Sequence, residues 1–132
     1  MKNIDELHFP EDRRYTAEHI WIKPDGDAWL VGISDYAQDQ LGEIAFVDLP
    51  SAGAELEAGA EFGSVESLKS VNALYMPVPG TVETINEDLE STPTLVNISA
   101  YEQGWMIRIC PADVPAVDSL MTAGEYRAHL AG

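Results

Sequence analysis

Cysteine occurs once in this chain of 132 residues, at Cys110, so no internal disulfide can staple it. Cys110 ends the apolar run Met106-Ile-Arg-Ile-Cys110, which reads as a strand with the thiol as a small buried apolar group. Basic residues are scarce: seven Lys and Arg face 23 Asp and Glu, for a formal charge of −16. Nucleic acid and anionic membrane surfaces both need a basic footprint, so neither is an expected partner. Partners should instead present basic patches. The three histidines, His8, His19 and His129, are scattered, and with one cysteine they form no zinc-type ligand spacing. There is no glycine-rich phosphate loop and no Ser, His or Cys arrangement of a hydrolytic kind. Asp35 and Asp39 stand at helical spacing, which a solvated face explains better than a general acid/base pair. No apolar run approaches the roughly 20 residues needed to span a membrane. The first ten residues are partly acidic and lack a continuous apolar segment, so they do not read as a secretory signal and the expected location is cytoplasmic.

Lysine is the scarcest charged residue, and its three copies differ in setting. Lys2 lies in the polar lead-in and Lys23 stands before a turn, whereas Lys69 is alone between two short apolar runs. On one side are Phe62 and Val65; on the other, Leu74, Met76 and Val78 alternate with Tyr75, Pro77 and Pro79, the period of a half-buried strand. Lys69 therefore belongs at or near the tip of a hairpin spanning 62–82. Taken alone, a solvated tip lysine carries no function.

The remaining pattern is that of one domain over 1–132, with a lead-in over 1–14, a β core over 15–110 and a helical tail over 111–132. Residues 15–22 and 28–33 read as a hairpin around Lys23-Pro-Asp-Gly-Asp27. Ser34 or Asp35 is a plausible N-cap for a short helix ending at Leu41, with Gly42 as its stop. Strands are expected over 43–49, 81–85 and 105–110, with a polar loop or single helical turn over 86–93. Val114, Val117 and Leu120 suggest a helix over 112–120, and Gly124 interrupts the tail before 125–130. His19, beside Trp21, is expected to be structural. Many short strands with short helices make the chain mainly β, a compact sandwich or flattened barrel.

Several motifs in order resemble the H-protein of the glycine cleavage system, a lipoyl carrier, from about residue 15 to about residue 130. They are Tyr15-Thr-Ala-Glu-His19 with Trp21, Val31-Gly-Ile-Ser-Asp-Tyr-Ala-Gln38, Leu41-Gly-Glu-Ile-Ala-Phe-Val-Asp-Leu-Pro50, Phe62-Gly-Ser-Val-Glu-Ser-Leu-Lys69 and Gly104-Trp-Met106. The resemblance implies a barrel-sandwich hybrid, with short helices at the chain ends and after the first hairpin. It implies lipoate covalently attached to Lys69, and a carrier component rather than an enzyme. In such carriers a glutamate three residues before the lysine and a glycine eleven after it help the lipoylating enzyme recognise the hairpin; here these are Glu66 and Gly80. Biotin carriers flank their lysine with methionines, whereas this one has Leu68 and Ser70, which favours lipoate. The implied partners are a lipoate ligase or a lipoyl or octanoyl transferase, dihydrolipoyl dehydrogenase, and the enzymes between which the arm swings.

One departure from the family bears on the cargo. Two acidic residues are associated with holding the carried amine in a surface cleft, and their positions here are Ile20 and Ala73. Neither side chain can accept a hydrogen bond or balance a charge. The pair tilts the expectation slightly toward the lipoate-binding protein of sulfur oxidation, working with a heterodisulfide-reductase-like complex. The alternative is the H-protein itself, carrying an aminomethyl group from glycine decarboxylase to aminomethyltransferase. A reading of another class is an unmodified binding or regulatory module.

Overall fold

A computed structural model describes residues 6–112 and 114–131. Residues 1–5 of the lead-in, with Lys2, lie outside the described residues, as do Asp113 and Gly132 at the start and end of the tail. The strands are β1 (Arg14–Tyr15), β2 (Ile20–Asp25), β3 (Ala28–Ile33), β4 (Ile44–Asp48), β5 (Glu55–Leu56), β6 (Glu61–Ser67), β7 (Val71–Tyr75), β8 (Gly80–Ile85) and β9 (Ile107–Pro111). The helices are α1 (Asp35–Leu41), α2 (Asp88–Ser91), α3 (Leu95–Ile98), α4 (Pro115–Asp118) and α5 (Ala123–Ala131). Two antiparallel sheets result, one of six strands in the order β1-β2-β3-β9-β8-β5 and one of three in the order β4-β6-β7. The mainly β barrel-sandwich architecture is the one expected.

The two sheets enclose a core to which nearly every strand contributes alternating apolar residues, among them Ile22, Val31, Val65, Leu74, Val82 and Ile109. A second cluster lies outside it, where Leu7 and Phe9 of the lead-in meet Tyr15, Trp21, Tyr101 and Tyr126. Tyr15 and Tyr126 stack with their ring centroids 4.7 Å apart. Arg13 is buried beside Trp21 and Tyr101, its guanidinium over both rings and its Nη1 donating to the Tyr101 carbonyl at 3.1 Å. Trp21 leaves no room at Gly32, where a Cβ would fall 2.7 Å from the indole ring.

Several boundaries differ from the sequence reading, each for a local reason. The expected strand over 15–22 is broken at residues 16–19, because Thr16 N–H bonds Ile20 O and His19 N–H bonds Thr16 O in a tight turn. His19 has φ 69°, a left-handed conformation no periodicity announces. In the first hairpin β2 continues through Pro24 and Asp25, and the reversal is only Gly26-Asp27, with Gly26 at φ 64°. β7 stops at Tyr75 although Met76 and Val78 remain buried, since Pro77 and Pro79 cannot donate to a ladder. Cys110 is exposed, not buried: β9 turns its even-numbered neighbours Arg108 and Cys110 outward toward Glu83. The tail folds as one turn, α4, then a reversal that bridges Met121 to Tyr15, then α5. Gly124 does not interrupt α5, because Thr122 and Glu125 cap its start reciprocally, each side chain accepting from the other's backbone N–H.

Candidate functional site

The ladder between β6 and β7 closes at the pair Glu66 and Val71, leaving Ser67-Leu68-Lys69-Ser70 as the tip. Ser67 organises it. Its N–H donates to Ser70 O at 2.8 Å, and its hydroxyl oxygen accepts from the N–H groups of Lys69 and Ser70 at 3.1 and 3.2 Å. Leu68 N–H reaches Glu43 O, tying the tip to the segment that follows α1. Every backbone donor from Ser67 to Ser70 is thus engaged, which makes the tip a fixed mount, not a floppy loop. The sequence reading located Lys69 here but gave Ser67 no role, although a serine two residues before a turn residue is a recognisable backbone-bonding pattern.

The Lys69 side chain is exposed and lies across the C-terminal end of α1. A Cβ on Gly42 would sit 3.4 Å from Lys69 Cε and 3.6 Å from Nζ, so glycine both ends the helix, at φ 80°, and leaves a flat surface under the lysine. Asn97 fixes that surface: its Nδ2 donates to Gly42 O at 2.8 Å and to Gln38 Oε1 at 3.0 Å, while its Oδ1 accepts from Ile44 N–H. Lys69 makes no ion pair among the described residues, in contrast to Lys23, whose ammonium is 3.5 Å from Asp12.

Beside this mount, between α1, the turn at 16–19 and β7, is a cleft of about 390 Å³. Ile33, Val65 and Leu74 form part of its apolar lining, and Glu18, Tyr36, Gln40, Asn72 and Tyr75 contribute its polar groups. Leu41, which precedes the Gly42 under the lysine, lines the cleft, and Asn72 and Ala73 follow Lys69 by three and four residues, so the cleft lies within roughly 13 Å of the tip at about 3.3 Å per residue. A lysine lengthened by an octanoyl-sized chain spans that distance, so the site fits a lipoyl group: an accessible amine, a flat bed beneath it, and a cleft within reach.

The other expected site residues fall in four places. Glu66 is exposed on the hairpin, directly opposite Phe46 on one neighbour and Val71 on the other, and all three are exposed in one row beside the tip. Ala73 lines the cleft. Ile20 does not: it is 1% exposed and packs in the main core, because the left-handed turn at His19 carries the chain inward there, and Ala17, Glu18 and His19 form the cleft wall instead. Gly80 lies in the other sheet, opposite Leu56 and Pro111. A Cβ there would come within 2.8 Å of Cys110 O, so close strand approach accounts for glycine at this position.

His19 lines the cleft and buries its other side in the aromatic cluster, with Nδ1 2.7 Å from Tyr126 OH, which is in turn 2.8 Å from Ser34 Oγ. Ser34 Oγ also accepts from Ala37 N–H as the cap of α1, so the cleft wall and the helix under Lys69 share one hydrogen-bonded chain. Burial chiefly, and His129 next, hold the imidazole pKa below its ordinary 6.5, while Glu18 opposes them. Tyr36 and Tyr126 are the other rings against it. With a folded-state value below the unfolded one, stability is complete above about pH 6.5 and is lost as pH falls through that value, because the unfolded chain takes up the proton first. The expected result is a lower urea midpoint at pH 5.5 than at pH 8, with a smaller difference in His19→Asn, whose side chain tolerates positive φ and does not titrate. An equal pH response in the two proteins would contradict this.

A model of the glycine cleavage H-protein family matches residues 13–131. The chain is 50% identical over 117 residues to the glycine cleavage system H protein of Bacillus licheniformis, covering 89% of this chain and 92% of that protein. It is 48% identical over 120 residues to the one of Bacillus subtilis, covering 91% and 94%. The crystal structure of an H protein from Mycobacterium marinum superposes with a TM-score of 0.85 at 36% identity, covering 93% of this chain and 99% of that one. With nearly its whole length matched in sequence and in fold, the chain belongs to the glycine cleavage H-protein family.

Proposed function

We propose that this protein is the lipoyl carrier of glycine cleavage, with lipoate joined to Lys69 and an aminomethyl group as cargo between glycine decarboxylase and aminomethyltransferase. The observation that carries the reading is the mount: an exposed amine, with no ion pair among the described residues, on a hydrogen-bonded tip beside a cleft within reach. When bound, the dithiolane supplies the reactive sulfur pair, as cofactors generally supply the hard chemistry. The chain's own part is to hold that group where each docked enzyme meets it at high effective concentration. It is a carrier component and not an enzyme, loaded by a lipoate ligase or a lipoyl or octanoyl transferase and reoxidised by dihydrolipoyl dehydrogenase. Glu66, in its row with Phe46 and Val71, is the recognition element for the loading enzyme, and Gly80 contributes through the strand spacing it permits.

The sulfur-carrying reading, toward which the sequence tilts, loses ground to the glycine cleavage alternative on two counts. The relatives from Bacillus and Mycobacterium are named as glycine cleavage H proteins. One of the two positions that favoured sulfur, Ile20, is in the core, so its apolar character answers to packing and says nothing about a cargo. The same proposal includes a cytoplasmic setting; among the described residues no helix is long and apolar enough to cross a membrane.

The test is exchange of carbon between glycine and bicarbonate with Lys69-lipoylated protein and a glycine decarboxylase, run beside an established H-protein. Exchange at a rate comparable to the control is expected. A silent reaction, with the control active and lipoylation verified by mass, refutes the aminomethyl reading.

A further inference from the structure

One side chain holds both segments against which the lysine tip rests. Asn97 in α3 donates from Nδ2 to Gly42 O at 2.8 Å and to Gln38 Oε1 at 3.0 Å, and its Oδ1 accepts from Ile44 N–H at 2.9 Å. A backbone carbonyl can only accept and a backbone N–H can only donate, so the amide has one possible orientation, with both N–H groups and the oxygen engaged. Its two backbone partners stand on either side of Glu43, whose own carbonyl accepts from Leu68 N–H at 3.4 Å. At that length the bond tolerates little displacement of Glu43, and it joins the tip to the segment after α1, whereas the Ser67 bonds stay within the tip. Gly42, the other backbone partner, lies under Lys69 Cε and Nζ. Although α3 has only four residues, it is firmly seated: Val96 is fully buried, and the chain returns so closely that a Cβ on Gly104 would meet Leu95 O at 2.9 Å and Ser99 O at 2.8 Å. Gln38 is buried too, and its Nε2 donates to Asp35 Oδ1 at 2.7 Å, so the hold on the end of α1 extends back to its first turn.

We infer that Asn97 is the positioning residue of the carrier lysine: by holding residues 42 and 44 it fixes Glu43 O and the Gly42 surface, and so sets where the Lys69 tip stands relative to α1. The inference rests on the reading of Lys69 as the lipoylated residue and adds the side chain that gives the tip its place. Without the Asn97 amide the Ser67 bonds still keep the tip's own shape, since none of them leaves residues 67–70. What goes is the attachment of that tip to the rest of the mount. In loading by a ligase, Nζ attacks the carbonyl carbon of an acyl adenylate made from ATP; the C–N bond forms, the C–O bond to AMP breaks with its electron pair, and the amine gives up a proton. The hairpin still offers Glu66 and its neighbours to the enzyme, so binding persists, but fewer encounters bring Nζ in line with that carbon. A loss of this kind appears in kcat and not in KM.

The experiment follows loading of the full unmodified chain by a lipoate ligase with lipoate and ATP, and reads amide hydrogen exchange of the same proteins by NMR, under conditions where each is folded. Two variants are compared with wild type. Asn97→Ala removes all three bonds, and the nearly isosteric Asn97→Asp keeps the acceptor for Ile44 N–H but sets an oxygen against Gly42 O and Gln38 Oε1. Both are expected to lower kcat for the carrier about tenfold with KM within about twofold. The Leu68 amide should exchange faster in both, while the Ser67 amide keeps its protection. Val117→Ala, a core truncation in α4, is the control for lost stability alone and should load like wild type. Asn97 variants that load like wild type, or that differ from it only as much as Val117→Ala does, would overturn the assignment while leaving the lipoyl reading intact. So would a raised KM with unchanged kcat, or a Leu68 amide as protected as in wild type. Wild type that stays unloaded at Lys69 while a control H-protein is lipoylated would overturn both.

Discussion

Replacing Lys69 by arginine is expected to abolish lipoylation completely and leave the fold as it is. The guanidinium stays protonated under all physiological conditions and offers no nucleophilic amine to acylate. The side chain it replaces is exposed and lies on the end of α1 without an ion pair, so the urea midpoint should move by no more than about 0.5 kcal/mol of stability. Intact mass after incubation with a lipoate ligase, lipoate and ATP reads the first half of the prediction, and equilibrium unfolding reads the second. The contrast with Lys23 sharpens the test. That lysine is half-buried and paired with Asp12, and its strand continues past it through Pro24, so it has neither the exposure nor the mount of Lys69. An adduct on Lys69→Arg protein, mapped to any other residue, would mean that the tip is not the site.

The site was legible in the sequence to the extent that it depends on local chemistry. A lone lysine between two alternating apolar runs announces a hairpin tip, and Ser34 and Gly42 mark the ends of α1 by capping rules that act within one turn of helix. The first hairpin, though not how short its reversal is, and the strands that reach the core follow from the same short-range signals. What escaped depends on partners distant in sequence. His19 takes up positive φ because the turn at 16–19 and the contacts to Tyr126 and Ser34, more than ten residues away, hold it there. That one residue reverses the expected facing of Ile20 and puts Glu18, a residue inside one of the family motifs, on the cleft. Cys110 was misread for a related reason: a run of apolar residues in a strand does not say which face of the sheet is covered, and here the outward face carries Arg108 and Cys110 against Glu83. The aromatic cluster around Trp21 was invisible because its members come from the lead-in, β1, β2, the loop before β9 and α5.

The largest loss of stability from a single methyl group is expected at Gly63, which the sequence showed only as a member of the lysine motif. Gly63 lies in β6 at the irregularity in its pairing with β7, while β4 runs along the other edge. A Cβ there would fall 2.2 Å from Asp48 O and 3.3 Å from the Asp48 carbonyl carbon. Both are backbone atoms, so no rotamer change relieves the overlap, and the two strands must separate. Overpacking of this kind costs about 1–3 kcal/mol, and a clash with main chain belongs at or above the top of that range. Gly63→Ala should therefore lower the urea midpoint markedly. Because β4 and β7 together brace the hairpin that carries Lys69, the variant should also be lipoylated more slowly under conditions where it remains folded. Gly124→Ala is the matched control: it lies in α5 with nothing within 4 Å of the added carbon, and relief of glycine's entropy should raise stability by roughly 0.5–1 kcal/mol. Opposite signs for the same chemical change would show that the spacing of β4 and β6, not glycine's flexibility, is what residue 63 provides; equal effects would remove that account of how the tip is held.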